Sequence, residues 1–247
     1  LRASRDEVWA AFEVLPERPE LKQSFLKNTE AAFEQNAIIA SSTSTIHLST
    51  FCEAARHPER IVIAHWLNPA FIIPLVEVAT GEQTAHWASE GILRFLEETG
   101  KIPVELRDSA GFIVPRIQVA AMNEAIRIIE EGVANPATVD TAIKAGFGFR
   151  LAVMGLVEFI DLGGLDILYH ASRYLYGELG LEQYKPLSSV TEKMERGEVG
   201  PRSGMGYYDY TGVDTDAMFL KRYRGFVELL NLVRRSEDLG FQGGIRD

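Results

Sequence analysis

The chain has 247 residues, 46% hydrophobic and 24% charged, enough to bury a sizeable core in one or two domains. A formal net charge of −10 and a sequence pI near 5.1 argue against a nucleic-acid surface, and the nearest basic cluster, FLKRYRGF at 219–226, reads as one solvated helix face. Cys52 is the only cysteine, which excludes an intrachain disulfide and a cysteine-based zinc cage, and no apolar run reaches the roughly 18 to 20 residues of a membrane span.

In chain order, WAAFEVL and AIIASST read as buried strands, separated by PELKQSFLKNTEAAFEQ, where Leu21, Phe25, Ala32 and Phe33 mark a helical apolar face. TIHLSTFCEAARH gives a short helix, RIVIAHWL a third strand and IPLVEVATG a fourth. EQTAHWASEGILRFLEETG is a long helix stopped by Gly100, and KIPVELRD is a closing strand. This alternation predicts an α/β layer structure with a largely parallel sheet, whose ligands sit at the carboxyl ends of the strands. Ser41 to Thr45 and His65 to Asn68 both fall there.

From Gly111 the pattern is all-helical. GFIVPRIQVAAMNEAIRIIEEGVA places Ile113, Ile117, Ala120, Ala121 and Ile128 on one stripe. NPATVDTAIKAG starts with Asn135 as cap and Pro136 in the first turn, with Gly146 as the stop. Further helices are expected around 151–162, 164–178, 187–196 and 214–235, and the domain boundary near Asp108, giving units 1–108 and 109–247.

The run IVIAHWLNPAFIIPLVEV keeps one histidine, His65, and one glutamate, Glu77, among apolar residues. A histidine at a strand's end, followed across a proline-containing turn by a glutamate on the next strand, meets that carboxylate side by side. Such a bond fixes the imidazole tautomer and leaves the other nitrogen for proton transfer; a satisfied core histidine is the competing reading. The tract ASSTST lines a phosphate, carboxylate or hydroxyl-bearing ligand, or else caps the following helix. A Ser44–His65 nucleophile pair is disfavoured, because no G-x-S-x-G elbow surrounds Ser44. His47, His57 and His86 have no partner at metal-ligand spacing, so no metal is expected. Trp9 and Trp87 read as core, whereas Trp66, beside His65, is placed to line a cleft. Tyr207, Tyr208 and Tyr210 are expected to pack a C-terminal turn.

FEVLPERPELK, IIASSTST, AHWLNPAFIIPLVEV, DSAGFIVPRI, NEAIRIIEEGVANPATVDTAIKAGFGF and RSGMGYYDY follow one another in the order, and near the spacing, of the 3-hydroxyacyl-CoA dehydrogenase family. From Phe12 to Tyr210 the chain resembles that family. The resemblance implies a Rossmann-type NAD-binding domain followed by a helical domain that serves dimerisation; a cytoplasmic setting is the default expectation for a chain with no membrane-length apolar run and no signal-peptide pattern at its start. The resemblance implies that His65 is the general base of an H-x-x-N-P motif that includes Asn68, that Glu77 orients it, and that Ser44 bonds the reacting oxygen of the substrate. Glu17 and Lys22, with Ser42, match positions on the nicotinamide-ribose side of the cofactor, and Glu158 and Asp161 match positions of packing or dimer contact.

Two departures stand out. Pro115 replaces the asparagine of G-F-[IV]-x-N-R and Ser42 that of N-T-S-S, so the substrate pocket differs or another donor, Asn123 or Ser44, compensates. No strand is followed by G-x-G-x-x-G with an acidic residue about 20 positions on. The chain also begins at Leu1 rather than Met. The adenosine-binding, N-terminal part of the NAD domain is therefore expected to be absent, so that these residues alone bind NAD poorly or not at all and catalysis is expected of the full-length protein. The expected activity is hydride transfer to NAD from the secondary alcohol of a 3-hydroxyacyl-CoA such as 3-hydroxybutyryl-CoA. SSTS, NP and IPLVEV are also similar to members acting on small free acids such as gulonate and carnitine, and a non-catalytic structural relative is the remaining alternative. The partners expected are a small acyl-CoA or hydroxy-acid substrate and a second copy of the chain, with neither nucleic acid nor membrane.

Overall fold

Strands that are apolar at successive positions need cover on both faces. In the computed structural model, which describes residues 8–235, β1 (Ala10–Glu13), β2 (Ile38–Ser41), β3 (Ile61–Trp66), β4 (Leu75–Thr80) and β5 (Ile102–Arg107) form one sheet in that order. Side chains alternate across it. Ile38, Ala40, Val62, Ala64, Val76 and Val78 pack with Ala88, Ile92 and Leu96 of α3 (His86–Glu98). Ile39, Ile61, Ile63 and Ala79 pack on the other face with Leu26 of α1 (Pro19–Thr29), Leu48 and Phe51 of α2 (Leu48–Cys52), and Phe112.

The pairings β1–β2, β2–β3 and β4–β5 are parallel, and β3–β4 is antiparallel. The largely parallel sheet thus contains one reversal. Residues 67–74 join β3 to β4 without a crossover helix, and so short a connection returns the chain antiparallel. The reversal sets His65 directly opposite Glu77.

The chain divides into two compact units, Leu1–Ala125 and Ile126–Asp247. The compact units part inside α4 (Val114–Glu130), and N–H groups at the start of this helix bond to Glu77 and hold that end with the sheet. The apolar stripe expected on α4 is not core: none of its residues is buried, and Ile117 is half exposed.

The second unit comprises α5 (Pro136–Ala142), α6 (Gly148–Leu151), α7 (Leu156–Gly163), α8 (Leu165–Leu179), α9 (Ser188–Arg196) and α10 (Thr215–Arg235). Asn135 caps α5, its Oδ1 accepting the N–H of Thr138 at 2.8 Å, and Pro136 opens the helix. Gly146 does not stop it. A π-helical turn, Ile143–Phe147, carries the chain on into α6, since Gly146 does not take the left-handed conformation in which glycine commonly ends a helix. Gly180 and Gly197, at φ 66° and 71°, do so after α8 and α9. Among the described residues no helix is long and apolar enough to cross a membrane.

Candidate active site

His65 lies near the end of β3, and its Nδ1 is 2.7 Å from Oε2 of Glu77 on β4. Both residues are buried. The other carboxylate oxygen of Glu77, Oε1, accepts the N–H groups of Ile113 and Val114 at 2.9 and 2.8 Å. The first N–H groups of a helix have no partner within it and carry its positive dipole end, so they suit a buried carboxylate. A tight turn aims them: Gly111 and Phe112 are both left-handed, at φ 69° and 47°, an unusual conformation for an aromatic residue. The Phe112 ring is buried 5.5 Å from the imidazole, centroid to centroid. Nε2 of His65 makes no hydrogen bond among the described residues. Pro115 is the second residue of α4, where a missing N–H leaves no bond unmade; what the position lacks is a side-chain donor. Asn123 is exposed on the same helix and makes no hydrogen bond to His65.

A second cluster gathers at the carboxyl ends of β1 and β2. Oε1 of Glu17 accepts from Thr43 Oγ1 at 2.6 Å and from the N–H groups of Ser44 and Thr45 at 2.9 and 3.0 Å. Burial pushes the Glu17 carboxyl up, but those bonds from Thr43, Thr45 and Ser44, with the charge of Lys22, hold it below the ordinary glutamate range. Lys22 is almost wholly buried. Its Nζ donates to both oxygens of Glu13, at 3.0 and 3.1 Å, and to the carbonyl of Leu15 at 3.0 Å, with Oε2 of Glu17 3.7 Å away. Ser44 is exposed, and no hydrogen bond joins it to His65.

A third group lines a cavity of about 420 Å³: Phe12, Val14, Ser42, Trp66, Asn68 and Ala70. The Phe12 and Trp66 rings meet edge to face, 6.1 Å apart, and Lys101 Nζ lies 5.5 Å from the centre of the Trp66 ring while donating to the carbonyl of Ile73 at 3.0 Å. Ser42 and Asn68 are thus brought together, whereas His65 and Glu77 are not among the residues lining this cavity.

Glu13 escaped the sequence reading, although an acidic residue inside a predicted buried strand, nine positions before a lysine, was a usable signal. Asp161 has the packing role expected of it. It accepts the N–H groups of Tyr207 and Tyr208, both at 2.9 Å, and the Tyr210 hydroxyl at 3.2 Å, so burial and this carboxylate push the Tyr210 phenol well up. Glu158 pairs with Arg222. His47, His57 and His86 each face one carboxylate, Asp108, Glu59 and Glu90 respectively.

The residues present fit the nicotinamide-ribose half of NAD: an apolar and aromatic cavity at the carboxyl ends of parallel strands, with Ser42 on its wall and the half-exposed Glu17 carboxylate in the adjacent cluster. They do not form a pyrophosphate cradle, because the turn from β1 to α1, residues 14–18, contains no glycine to let phosphate approach the backbone.

Comparison with known proteins agrees. The model of the 3-hydroxyacyl-CoA dehydrogenase NAD binding domain matches residues 2–109, and that of the C-terminal domain matches residues 111–210. The chain is 33% identical over 227 residues to the 5-formyl-3-hydroxy-2-methylpyridine 4-carboxylate 5-dehydrogenase of Mesorhizobium japonicum, across 91% of this chain and 73% of that protein. To an L-carnitine dehydrogenase of a Pseudomonas species it is 37% identical over 185 residues, 74% of this chain and 58% of the relative. A crystal structure of a 3-hydroxyacyl-CoA dehydrogenase from Archaeoglobus fulgidus matches with a TM-score of 0.78 at 32% identity, covering 91% of this chain and 77% of that one. The NAD-domain match starts at residue 2, so the expected absence of the N-terminal part gains no support from it, and the expectation narrows to the missing G-x-G-x-x-G. With both domain models matched in succession over nearly the whole of residues 2–210, the chain belongs to the 3-hydroxyacyl-CoA dehydrogenase family of NAD-dependent oxidoreductases.

Proposed function

We propose that the protein oxidises the secondary alcohol of a 3-hydroxyacyl-CoA such as 3-hydroxybutyryl-CoA, with His65 as general base. The observation that carries this reading is the 2.7 Å bond from Nδ1 of His65 to a carboxylate whose other oxygen is pinned by two backbone N–H groups. With Nδ1–H donated to Glu77, the lone pair on Nε2 takes the hydroxyl proton, and the neighbouring carboxylate stabilises the resulting imidazolium. The chemistry that NAD supplies when bound is acceptance of the hydride from the carbinol carbon. Ser44 bonds the reacting oxygen, Asn68 borders the substrate, and Glu17 and Ser42 hold the nicotinamide-ribose side, with Lys22 Nζ 3.7 Å from Oε2 of Glu17.

His65→Ala should lower kcat for 3-hydroxybutyryl-CoA by about 10²-fold or more, followed by NADH absorbance. Unchanged turnover would remove His65 from this role. Pro115 and the relative named for L-carnitine favour a small free hydroxy acid as the second reading of the substrate. Comparing kcat/KM for 3-hydroxybutyryl-CoA, gulonate and carnitine in parallel decides between them. Exposed apolar side chains on α8 and α10, among them Ile167, Tyr174, Leu220 and Tyr223, support pairing of two copies through the helical unit. Light scattering should then read twice the chain mass of 27.5 kDa.

A further inference from the structure

We propose that Glu13 is a positioning residue for the cofactor cavity, a role that rests on the dehydrogenase reading above. Glu13 is the last residue of β1 and stands opposite Ser41, the last of β2. Its carboxylate is buried and receives every donor around it: Lys22 Nζ on both oxygens, at 3.0 and 3.1 Å, Ser41 Oγ on Oε2 at 2.6 Å, and the N–H of Leu15 on Oε1. Lys22 closes the ring by donating to the carbonyl of Leu15. One knot therefore ties together the ends of two strands, the turn that leaves β1 and the helix that follows it.

An ion pair taken this far out of water loses much of its solvation, and apolar residues of the same volume often serve stability as well or better. Its distinctive contribution is therefore geometric. The residues tied are the immediate chain neighbours of the cavity lining, since Phe12 and Val14 flank Glu13 and Ser42 follows Ser41. These are three of the six residues that line the cavity. Strand alternation turns Glu13 toward α1 and Phe12 toward the α3 face, so the Glu13–Ser41 bond sets the spacing of the cavity's two strand-borne walls without entering it. Lys22, whose donors point inward to Glu13 and Leu15, acts on the cavity through Glu13.

The test is Glu13→Gln in the full-length protein, read first by fluorescence titration with NADH in the absence of substrate. The Kd for NADH should rise about tenfold, and KM for NAD with it, because a site loosened by a fraction of an ångström loses affinity on that scale. KM for the hydroxy substrate should stay within about twofold, and the pH profile of kcat should keep its midpoint, since neither depends on this carboxylate. A lower melting temperature with unchanged NADH affinity would show a merely structural residue and overturn the proposal. Should that variant not fold, Ser41→Ala removes one bond and leaves the ion pair. It should raise the Kd about threefold, and an unchanged value overturns the proposal equally. A full-length wild type that binds no NADH overturns both this inference and the dehydrogenase reading. A wild type that turns over no hydroxy acid, yet loses NADH affinity on Glu13→Gln, overturns the substrate reading alone and supports the role of Glu13.

Discussion

Each of the two units contains a carboxylate at 1% exposure that catches two consecutive backbone N–H groups, Glu77 in the first and Asp161 in the second. Glu77 receives both on one oxygen, because the turn at Gly111 and Phe112 makes them converge there, and its second oxygen is left for His65. Asp161 receives one N–H on each oxygen and the Tyr210 hydroxyl besides, so neither oxygen is left over. The loop that delivers them lies so close that a Cβ on Gly206 would sit 2.5 Å from the carboxylate. Burial does not separate the two residues. What separates them is how the two backbone donors are shared between the oxygens, both on one in Glu77 and one on each in Asp161: a carboxylate with an oxygen to spare orients a base, and one without is a latch.

The largest effect expected from testing this contrast comes from Glu77→Gln. The amide oxygen still accepts from Ile113 and Val114, but the amide NH₂ then faces Nδ1 of His65 and forces the tautomer that carries its proton on Nε2. The kcat should fall by about 10²- to 10⁴-fold while thermal unfolding shifts by only a few degrees. A loss under tenfold would end the claim that the spare oxygen matters.

Next in size is Asp161→Ala, which removes three hydrogen bonds to a buried carboxylate. Urea titration should show a loss of about 3 kcal/mol, with kcat of the folded fraction near that of the wild type. A fall in kcat like that of Glu77→Gln, without loss of stability, would dissolve the distinction.

The smallest effect sharpens the contrast at an intermediate case. Glu17 has one oxygen saturated by the 43–45 tract and one half exposed beside Lys22, and its carboxyl is held below the ordinary range. Because the folded value is the lower one, the stabilisation is present above the unfolded pKa of about 4.3 and is lost as pH falls through the folded value. Amide exchange at Ser44 and Thr45 should therefore stay protected at pH 5 and accelerate only well below about pH 4. Glu17→Gln should abolish that acid dependence.

How legible these features were follows from the reach of the interactions. The His65–Glu77 pair spans twelve residues across one turn, and the Asn135 cap spans three; local spacing was enough for the cap, whereas for the pair it left a core histidine as the competing reading until the family resemblance was added. The turn-borne partners of Glu77 and Asp161 lie 36 and 46 residues away, and nothing near either carboxylate in sequence names them. Gly146 reads as a stop because its neighbours do, yet its conformation is decided by the π turn through it.

By itself the sequence determined the alternation of strands and helices, the buried faces of the sheet, the Asn135 cap, and the residue types able to hold and move a proton. Tertiary structure alone decided that Glu13 is the partner of Lys22, that the start of α4 completes the site of Glu77, and that the unit boundary falls within that helix. The reason is physical. Backbone preference and apolar periodicity act over one or two turns of chain, whereas a buried polar atom must find its partner wherever the packed elements bring one within about 3 Å.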